Sequence, residues 1–155
     1  MGLEIERKFL VVNEKWKANV ESSSRLIQGY LSTEKNATIR VRVADDCAIL
    51  NIKGKTTGIR RNEYEYEIPL RDAMEMLENN TRGRTIDKER YKVRCGKHIW
   101  DLDVFHGDNE GLVLAEVELA AENESFELPD WAGLEVSNDV KYYNANLVEH
   151  PYRNW

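Results

Sequence analysis

The sequence predicts a mainly β fold of α+β class: short antiparallel strands closed into a barrel, with a few helices flanking it. Three observations carry that expectation. Period-two alternation dominates the chain and recurs in eight segments. Helical periodicity is confined to two stretches. Many short strands and few helices are best accommodated by a sheet that closes on itself and leaves no free edge.

The alternating segments are Leu3–Val11, Arg25–Leu31, Thr38–Val43, Ala48–Lys53, Arg61–Ile68, Arg84–Val93, Ile99–Phe105 and Leu112–Leu119. A helix is predicted over Leu70–Asn80, after Pro69, with Ala73, Met74 and Leu77 on one face. A second is predicted from Asp139, a suitable N-cap, to His150, with Val140, Tyr143, Leu147 and Val148 inward. Short helical turns are expected at Asn13–Ala18 and Ala121–Phe126. With no linker, low-complexity tract or solenoid repeat, residues 1–155 form a single domain.

Composition narrows the function. Of 155 residues, 41% are hydrophobic and 32% charged, and no window approaches the ~20 apolar residues of a membrane span. The net charge of −6 is the wrong sign for a surface that grips nucleic acid. Cys47 and Cys95 lie too far apart for a C-x-x-C zinc site, and His98, His106 and His150 are scattered. The N-terminus lacks the apolar core of a secretory signal, so a reduced, cytoplasmic protein is expected. No Ser/His/Asp or Cys/His constellation is present. Gly54-Lys55-Thr56 resembles the end of a phosphate-binding loop, but the first glycine of that motif would fall on Ile49, inside a strand. The segment reads instead as a flexible loop carrying Lys55 to a rim.

The informative feature is which residues alternate. One face of the first strand carries Glu4, Glu6 and Lys8; the other carries Leu3, Ile5, Phe9 and Val11. The same division sets Arg40 and Arg42 against Ile39, Val41 and Val43, and Asn51 and Lys53 against Leu50 and Ile52. Further stripes are Glu63-x-Glu65-x-Glu67, Lys88-x-Arg90-x-Lys92, Asp101-x-Asp103 and Glu116-x-Glu118. These are either the solvated faces of an ordinary sheet or the lining of a barrel lumen. Same-face neighbours sit about 6.5–7 Å apart, so like charges repel, and a solvated face would be better served by mixed signs.

A charge count says what such a lumen could hold. Glu4, Glu6, Glu63, Glu65, Asp101, Asp103, Glu116 and Glu118 outnumber Lys8, Arg40, Arg42, Lys53, Lys88 and Arg90 by two. That excess would repel an anion, whereas six cations exceed the needs of a neutral ligand. Two divalent ions on the carboxylates would reverse the sign and suit a triphosphate of roughly four negative charges. On this count a metal is required.

Glu4-Ile5-Glu6-Arg7-Lys8, an E-x-E-x-K string at the N-terminus, resembles the opening of the CYTH superfamily, the triphosphate tunnel metalloenzymes. The similarity continues in order through Gln28-Gly29-Tyr30-Leu31, Ile39-Arg40-Val41-Arg42, Ile52-Lys53, Glu63-Tyr64-Glu65, Lys88-Glu89-Arg90-Tyr91, Leu102-Asp103-Val104-Phe105 and Glu116-Val117-Glu118, ending near Lys141-Tyr142-Tyr143-Asn144. It covers nearly the whole chain and is strongest with the short, single-domain bacterial branch.

The resemblance implies an eight-stranded antiparallel barrel with a charged lumen that hydrolyses a triphosphate, foremost inorganic triphosphate, with Mg²⁺ or Mn²⁺, two ions per site. It implies Glu4, Glu6, Glu116 and Glu118 as metal ligands. Glu63 and Glu65 would assist a second metal or orient water. Lys8, Arg40, Arg42, Lys53, Lys88 and Arg90 would grip phosphate, and Lys141, starting the C-terminal helix, would sit near the tunnel mouth. Asp101, Asp103, Tyr30 and Arg61 are left without an assigned role; Glu67 and Lys92 are read as solvated, beyond the ligand. Competing activities are a class IV-type adenylyl cyclase, a nucleoside or thiamine triphosphatase, and a non-catalytic polyphosphate-binding module. The partner is a small-molecule triphosphate, with no nucleic acid or membrane involved, and apolar outward faces suggest a homodimer.

Overall fold

The computed structural model describes residues 2–155; Met1, part of the predicted domain, lies outside the described residues. All eight alternating segments are strands: β1 (Gly2–Val11), β2 (Val20–Glu34), β3 (Ala37–Ala44), β4 (Cys47–Lys53), β5 (Arg60–Glu67), β6 (Thr85–Cys95), β7 (His98–Phe105) and β8 (Val113–Glu118). They pair antiparallel in the circular order β1-β5-β4-β3-β2-β6-β7-β8, and β8 returns to β1 with Glu6 opposite Glu118 and Lys8 opposite Glu116. A ninth strand, β9 (Ala132–Glu135), extends the β1 edge beyond β5 and was not foreseen. Its four residues, Ala-Gly-Leu-Glu, are too few to show alternation, and it is held by pairing with β1 and by the Arg7–Glu135 ion pair.

The barrel is inverted relative to most: its main apolar core lies outside the wall. Ile5 and Phe9 of β1, Val93 of β6, Trp100 and Leu102 of β7, and Ala115 and Val117 of β8 point outward. They are covered by Trp16 from the 3₁₀ turn Lys15–Asn19 and by Leu119, Phe126 and Trp131 from the segment after β8. Trp100 and Trp131 meet edge-on, with ring centroids 5.3 Å apart. Covering the apolar faces this way keeps the charged faces turned inward.

Helix α1 (Leu70–Asn79) covers another outer face, packing Ala73, Met76 and Leu77 on Val41, Ala48 and Leu50. Met74, expected on this face, is 53% exposed, and Met76 takes its place. The approach is close because β2 has no side chain at Gly29; a Cβ there would stand 2.6 Å from Thr81 Cγ2 and 2.8 Å from Leu77 Cδ2.

The predicted helix Asp139–His150 is broken. Val140–Tyr142 forms a 3₁₀ turn capped by Asp139, Tyr143 is extended, and only Asn144–Leu147 (α2) is α-helical. Tertiary contacts override the periodicity: Tyr143 OH donates to Ser137 O at 3.0 Å, and Asn144 is drawn into the barrel. Val140, expected inward, is 59% exposed. The turn at Asn13–Ala18 appears as the 3₁₀ turn, but Ala121–Phe126 is not helical.

At one end the lumen turns apolar. Leu10, Ile86, Phe105 and Leu114 continue the inward faces of β1, β6, β7 and β8, and Leu147 of α2 seats against them as a stopper.

Candidate active site

One cavity of about 720 Å³ occupies the barrel interior. Lining it are Glu4, Glu6 and Lys8 of β1, Arg40 and Arg42 of β3, Lys53 of β4, Glu63 and Glu65 of β5, Lys88 and Arg90 of β6, and Glu116 and Glu118 of β8. These are twelve of the thirteen residues the sequence singles out. The stripes therefore face the lumen, because the opposite faces are needed for the outer core.

Lys141 is the exception. Its Nζ sits 4.4 Å from the Trp155 ring centroid and 5.3 Å from that of Tyr142, outside the cavity. The expectation placed it at the start of one continuous helix; the break at Tyr143 turns its side chain onto the C-terminal aromatics instead.

The lining also holds residues without an expected role. Arg61 reaches Glu4 at 3.3 Å, and Asp101 binds both Lys92 and Arg90. Lys92, read as solvated, is a lining residue. Lys55 stands at the mouth on the β4–β5 connection, the rim position expected of that loop, and Lys35 of the β2–β3 connection joins it. The lining thus presents ten cations against seven carboxylates, or eight with Asp103 beneath them. The acidic excess expected from the sequence is overturned, and net charge by itself does not call for a metal.

What the geometry shows instead is segregation. The contiguous strands β8, β1 and β5 carry Glu116, Glu118, Glu4, Glu6, Glu63 and Glu65; β4, β3 and β6 carry Lys53, Arg40, Arg42, Lys88, Arg90 and Lys92. Some groups are paired across the boundaries. Lys53 Nζ lies 3.2 Å from Glu4 and 3.1 Å from Glu63, and Lys8 Nζ lies 3.4 Å from Glu116. Deepest of all, Asp103 accepts from Arg90 Nε at 2.7 Å and from Lys88 Nζ at 2.8 Å.

Other groups are left over, among the described residues. Arg42 has neither ion pair nor hydrogen bond, and Arg40 touches only the neutral Asn51. Glu6 and Glu118 have no cationic partner. Their titration follows from this. Burial, then neighbouring Glu116 and Glu4, push the Glu6 carboxyl well above its usual range. Burial together with Glu4 and Asp101 raises Glu118. Burial, then Arg40 and Arg90, lower Arg42.

The paired groups behave differently. Burial would raise Glu4 and Glu116, but Lys53 and Arg61 hold the first down, and Lys8 and Arg90 hold the second well below its usual value. Glu63 is raised to about 7 by burial, with Glu4 adding to it and Lys53 opposing. Burial would raise Asp103 too, yet Arg90 and Lys88 hold it at about 2. Lys88 shares that one carboxylate with Arg90, so burial still lowers it to about 8.

Sequence reading placed Tyr143 inward and met Asn144 only at the end of the family resemblance, and it gave neither a role in the site. Asn144 Oδ1 accepts from Lys88 Nζ and from Gln28 Nε2, both at 3.0 Å, and Lys8 Nζ sits 5.4 Å from the Tyr143 ring centroid. For Asn144, helical periodicity gives no inward signal; the break at Tyr143 turns it into the barrel. Among the described residues no three His, Cys, Asp or Glu side chains are gathered into a ready metal cage. On the acidic wall Glu6 neighbours Glu116 and Glu4 neighbours Glu63, so that each carboxyl feels the other's charge.

Residues 2–152 match the CYTH domain. The inorganic triphosphatase of Acetivibrio thermocellus is 46% identical over 155 residues, spanning 100% of this chain and 99% of that protein. That of Nitrosomonas europaea is 37% identical over 150 residues, spanning 94% and 96%. The crystal structure of an inorganic triphosphatase aligns with a TM-score of 0.68 at 34% identity, covering 96% of this chain and 95% of that one. With the closed barrel, its inward charge and these likenesses together, the chain belongs to the CYTH domain family.

Proposed function

We propose that this protein hydrolyses inorganic triphosphate to pyrophosphate and phosphate in a reaction that depends on a divalent cation. The observation that carries the reading is the pair of uncompensated clusters on opposite sides of the lumen: Arg40 and Arg42 on β3, Glu6 and Glu118 on β1 and β8. A lining that served only the fold would pair these charges with one another. Left apart, the first cluster calls for an anion and the second for a cation, and a metal–triphosphate complex supplies both.

The donor set fits a hard divalent ion, since carboxylate oxygens are its preferred ligands and those of Glu6 and Glu118 close no ion pair among the described residues. Glu4, Glu6, Glu116 and Glu118 would hold it, as Mg²⁺ or Mn²⁺ and as two ions per site. When bound, such an ion polarises a phosphoryl oxygen and acidifies water.

Arg40 and Arg42 take phosphate oxygens in charge-assisted, bidentate contacts. Lys88 and Arg90, pinned by Asp103, fix the far end of the phosphate chain. Lys8 and Lys53 stand between carboxylates and phosphate and can satisfy both. Glu63 and Glu65 accept hydrogen bonds from the attacking water and orient it along the phosphoanhydride bond. Inorganic triphosphate is favoured because the two inorganic triphosphatases are full-length relatives and because only Tyr30 and Tyr143 are aromatic in the lining, too few to sandwich a base.

Leu3 and Tyr66 stay exposed on the outer faces of β1 and β5, and a homodimer through them is part of the proposal, with sedimentation as its test. So is a cytoplasmic location; no described helix is long and apolar enough to cross a membrane. Phosphate release from inorganic triphosphate, ATP and thiamine triphosphate, each with Mg²⁺, Mn²⁺ or EDTA, tests the main claim. Rapid release from inorganic triphosphate that EDTA abolishes is expected. Cyclic AMP from ATP, or tight binding of triphosphate with no release, would replace this reading.

A further inference from the structure

Arg40 and Glu65 are inward-facing and stand two strands apart in a single cross-strand row, with Asn51 of β4 between them. In the adjacent row β4 contributes Lys53, which closes an ion pair with Glu63 at 3.1 Å. In the row on the other side it contributes Ile49, between Arg42 and Glu67. Alternate strands lie only about 9.5 Å apart, a gap that an arginine and a glutamate could close between them. They do not close it here.

Asn51 explains why. Its side chain is fully buried, and Oδ1 accepts from both Arg40 Nε at 3.3 Å and Arg40 Nη2 at 3.1 Å. The guanidinium is thus held in place by a neutral acceptor. Its Nδ2 has no partner among the described residues, an uncommon cost for a buried amide. A carboxylate at this position would pair with Arg40 far more strongly and leave no such orphan donor, so optimisation of the fold alone would not select an amide.

We propose that Asn51 is a positioning residue that orients Arg40 while insulating it from Glu65, so that the whole charge of the guanidinium remains available to an anion in the lumen. This deepens the triphosphate reading and rests on it for the identity of the anion. Arg40 would otherwise be neutralised before a ligand arrives, as Arg90 largely is by Asp103.

The test compares Asn51→Asp, Asn51→Ser and Asn51→Ala, using inorganic triphosphate as the probe. Calorimetric affinity is measured in EDTA, and KM and kcat are measured with Mg²⁺. For Asn51→Asp, affinity should fall and KM rise by tenfold or more, with kcat within about threefold of wild type. Asn51→Ser, which keeps a neutral acceptor, should stay within about threefold in every parameter. Asn51→Ala should lie between them.

A wild-type affinity in Asn51→Asp, or equal losses in the Asp and Ala variants, would overturn the insulating role. Should Asn51→Asp not fold, a KM for Asn51→Ser as high as that of Asn51→Ala would overturn it instead. Binding of triphosphate without turnover by the wild type would sink the hydrolase and leave this inference standing, because the affinity measurement does not depend on catalysis.

Discussion

The cations of β6 and those of β3 share one lumen, yet the structure treats them oppositely. Lys88 and Arg90 converge on Asp103, whose side chain is only 2% exposed. Arg40 and Arg42 close no ion pair with a carboxylate among the described residues. A paired cation is fixed in position but has spent much of its field on its partner; an unpaired one keeps its field and weakens the fold. On the proposed function, the barrel divides two tasks, anchoring the ligand and attracting it, between strands on either side of β2. Substitutions that separate stability from binding can break or sharpen that division.

The largest effect is expected on the acidic wall at Glu6, the more deeply buried of the two carboxyls without an ion pair among the described residues. Glu6→Gln should reduce phosphate release to the level seen in EDTA. Its folded-state carboxyl titrates well above the unfolded one, so Glu6 favours the fold at low pH and opposes it as pH rises past the unfolded value. The neutral glutamine should accordingly raise the melting temperature at neutral pH in EDTA. A variant with wild-type turnover would remove Glu6 from the proposed metal site.

Next comes Asp103→Asn, which leaves Lys88 and Arg90 buried without their shared carboxylate. Breaking a buried ionic cluster costs about 3–5 kcal/mol, to be read as a fall in denaturant midpoint. Loss of activity at temperatures where the variant is still folded should be minor beside that. A stability change under 1 kcal/mol would show that the β6 cations are not anchored as described.

The fold was largely legible because alternation records which face is which, and all eight barrel strands follow from it. The inside-out sense was less so. Periodicity is the same whether charges face solvent or lumen, and only Trp16, Phe126 and Trp131, arriving from distant segments to cover the other face, settle it. The candidate site was legible where its lining residues lie on strands. It was missed where a residue's direction depends on long-range contact: Lys141 leaves the cavity for Trp155, while Asn144 enters it toward Lys88 and Gln28. The charge balance failed because Arg61 and Lys92, on strands but left out of the count, line the lumen and cancel the acidic excess, and Lys35 and Lys55 at the mouth reverse it.

Arg42→Ala is the counterpart of Asp103→Asn. Losing a charge-assisted contact of about 2–3 kcal/mol should raise KM for inorganic triphosphate about 30- to 150-fold. Because Arg42 has no ion-pair or hydrogen-bond partner to orphan among the described residues, the melting temperature should hold or rise. A large loss of stability with unchanged KM would reverse the roles assigned to β3 and β6.

A smaller effect belongs to Lys88. With its pKa at about 8, it loses its charge above that pH in the free protein, before a triphosphate can stabilise the ammonium. The ratio kcat/KM reports groups of the free enzyme, so it should decline above about pH 8 while kcat declines later. Lys88→Arg should remove that alkaline limb; if the limb stays, another group governs it.

The smallest effect is expected from Lys141→Ala, which also measures how far the C-terminal segment is structural. An exposed ammonium stacked on an indole contributes about 0.5–1 kcal/mol, and Lys141 lies over Trp155 rather than in the lumen. Both kcat and KM should stay within about twofold of wild type, with a loss of stability of that order matched by Trp155→Ala. The double variant should lose no more than either alone, because the two side chains share one contact. A rise in KM from Lys141→Ala that Trp155→Ala does not reproduce would mean that the lysine swings into the mouth when triphosphate enters, and that anchoring by β6 is completed from the C-terminal segment.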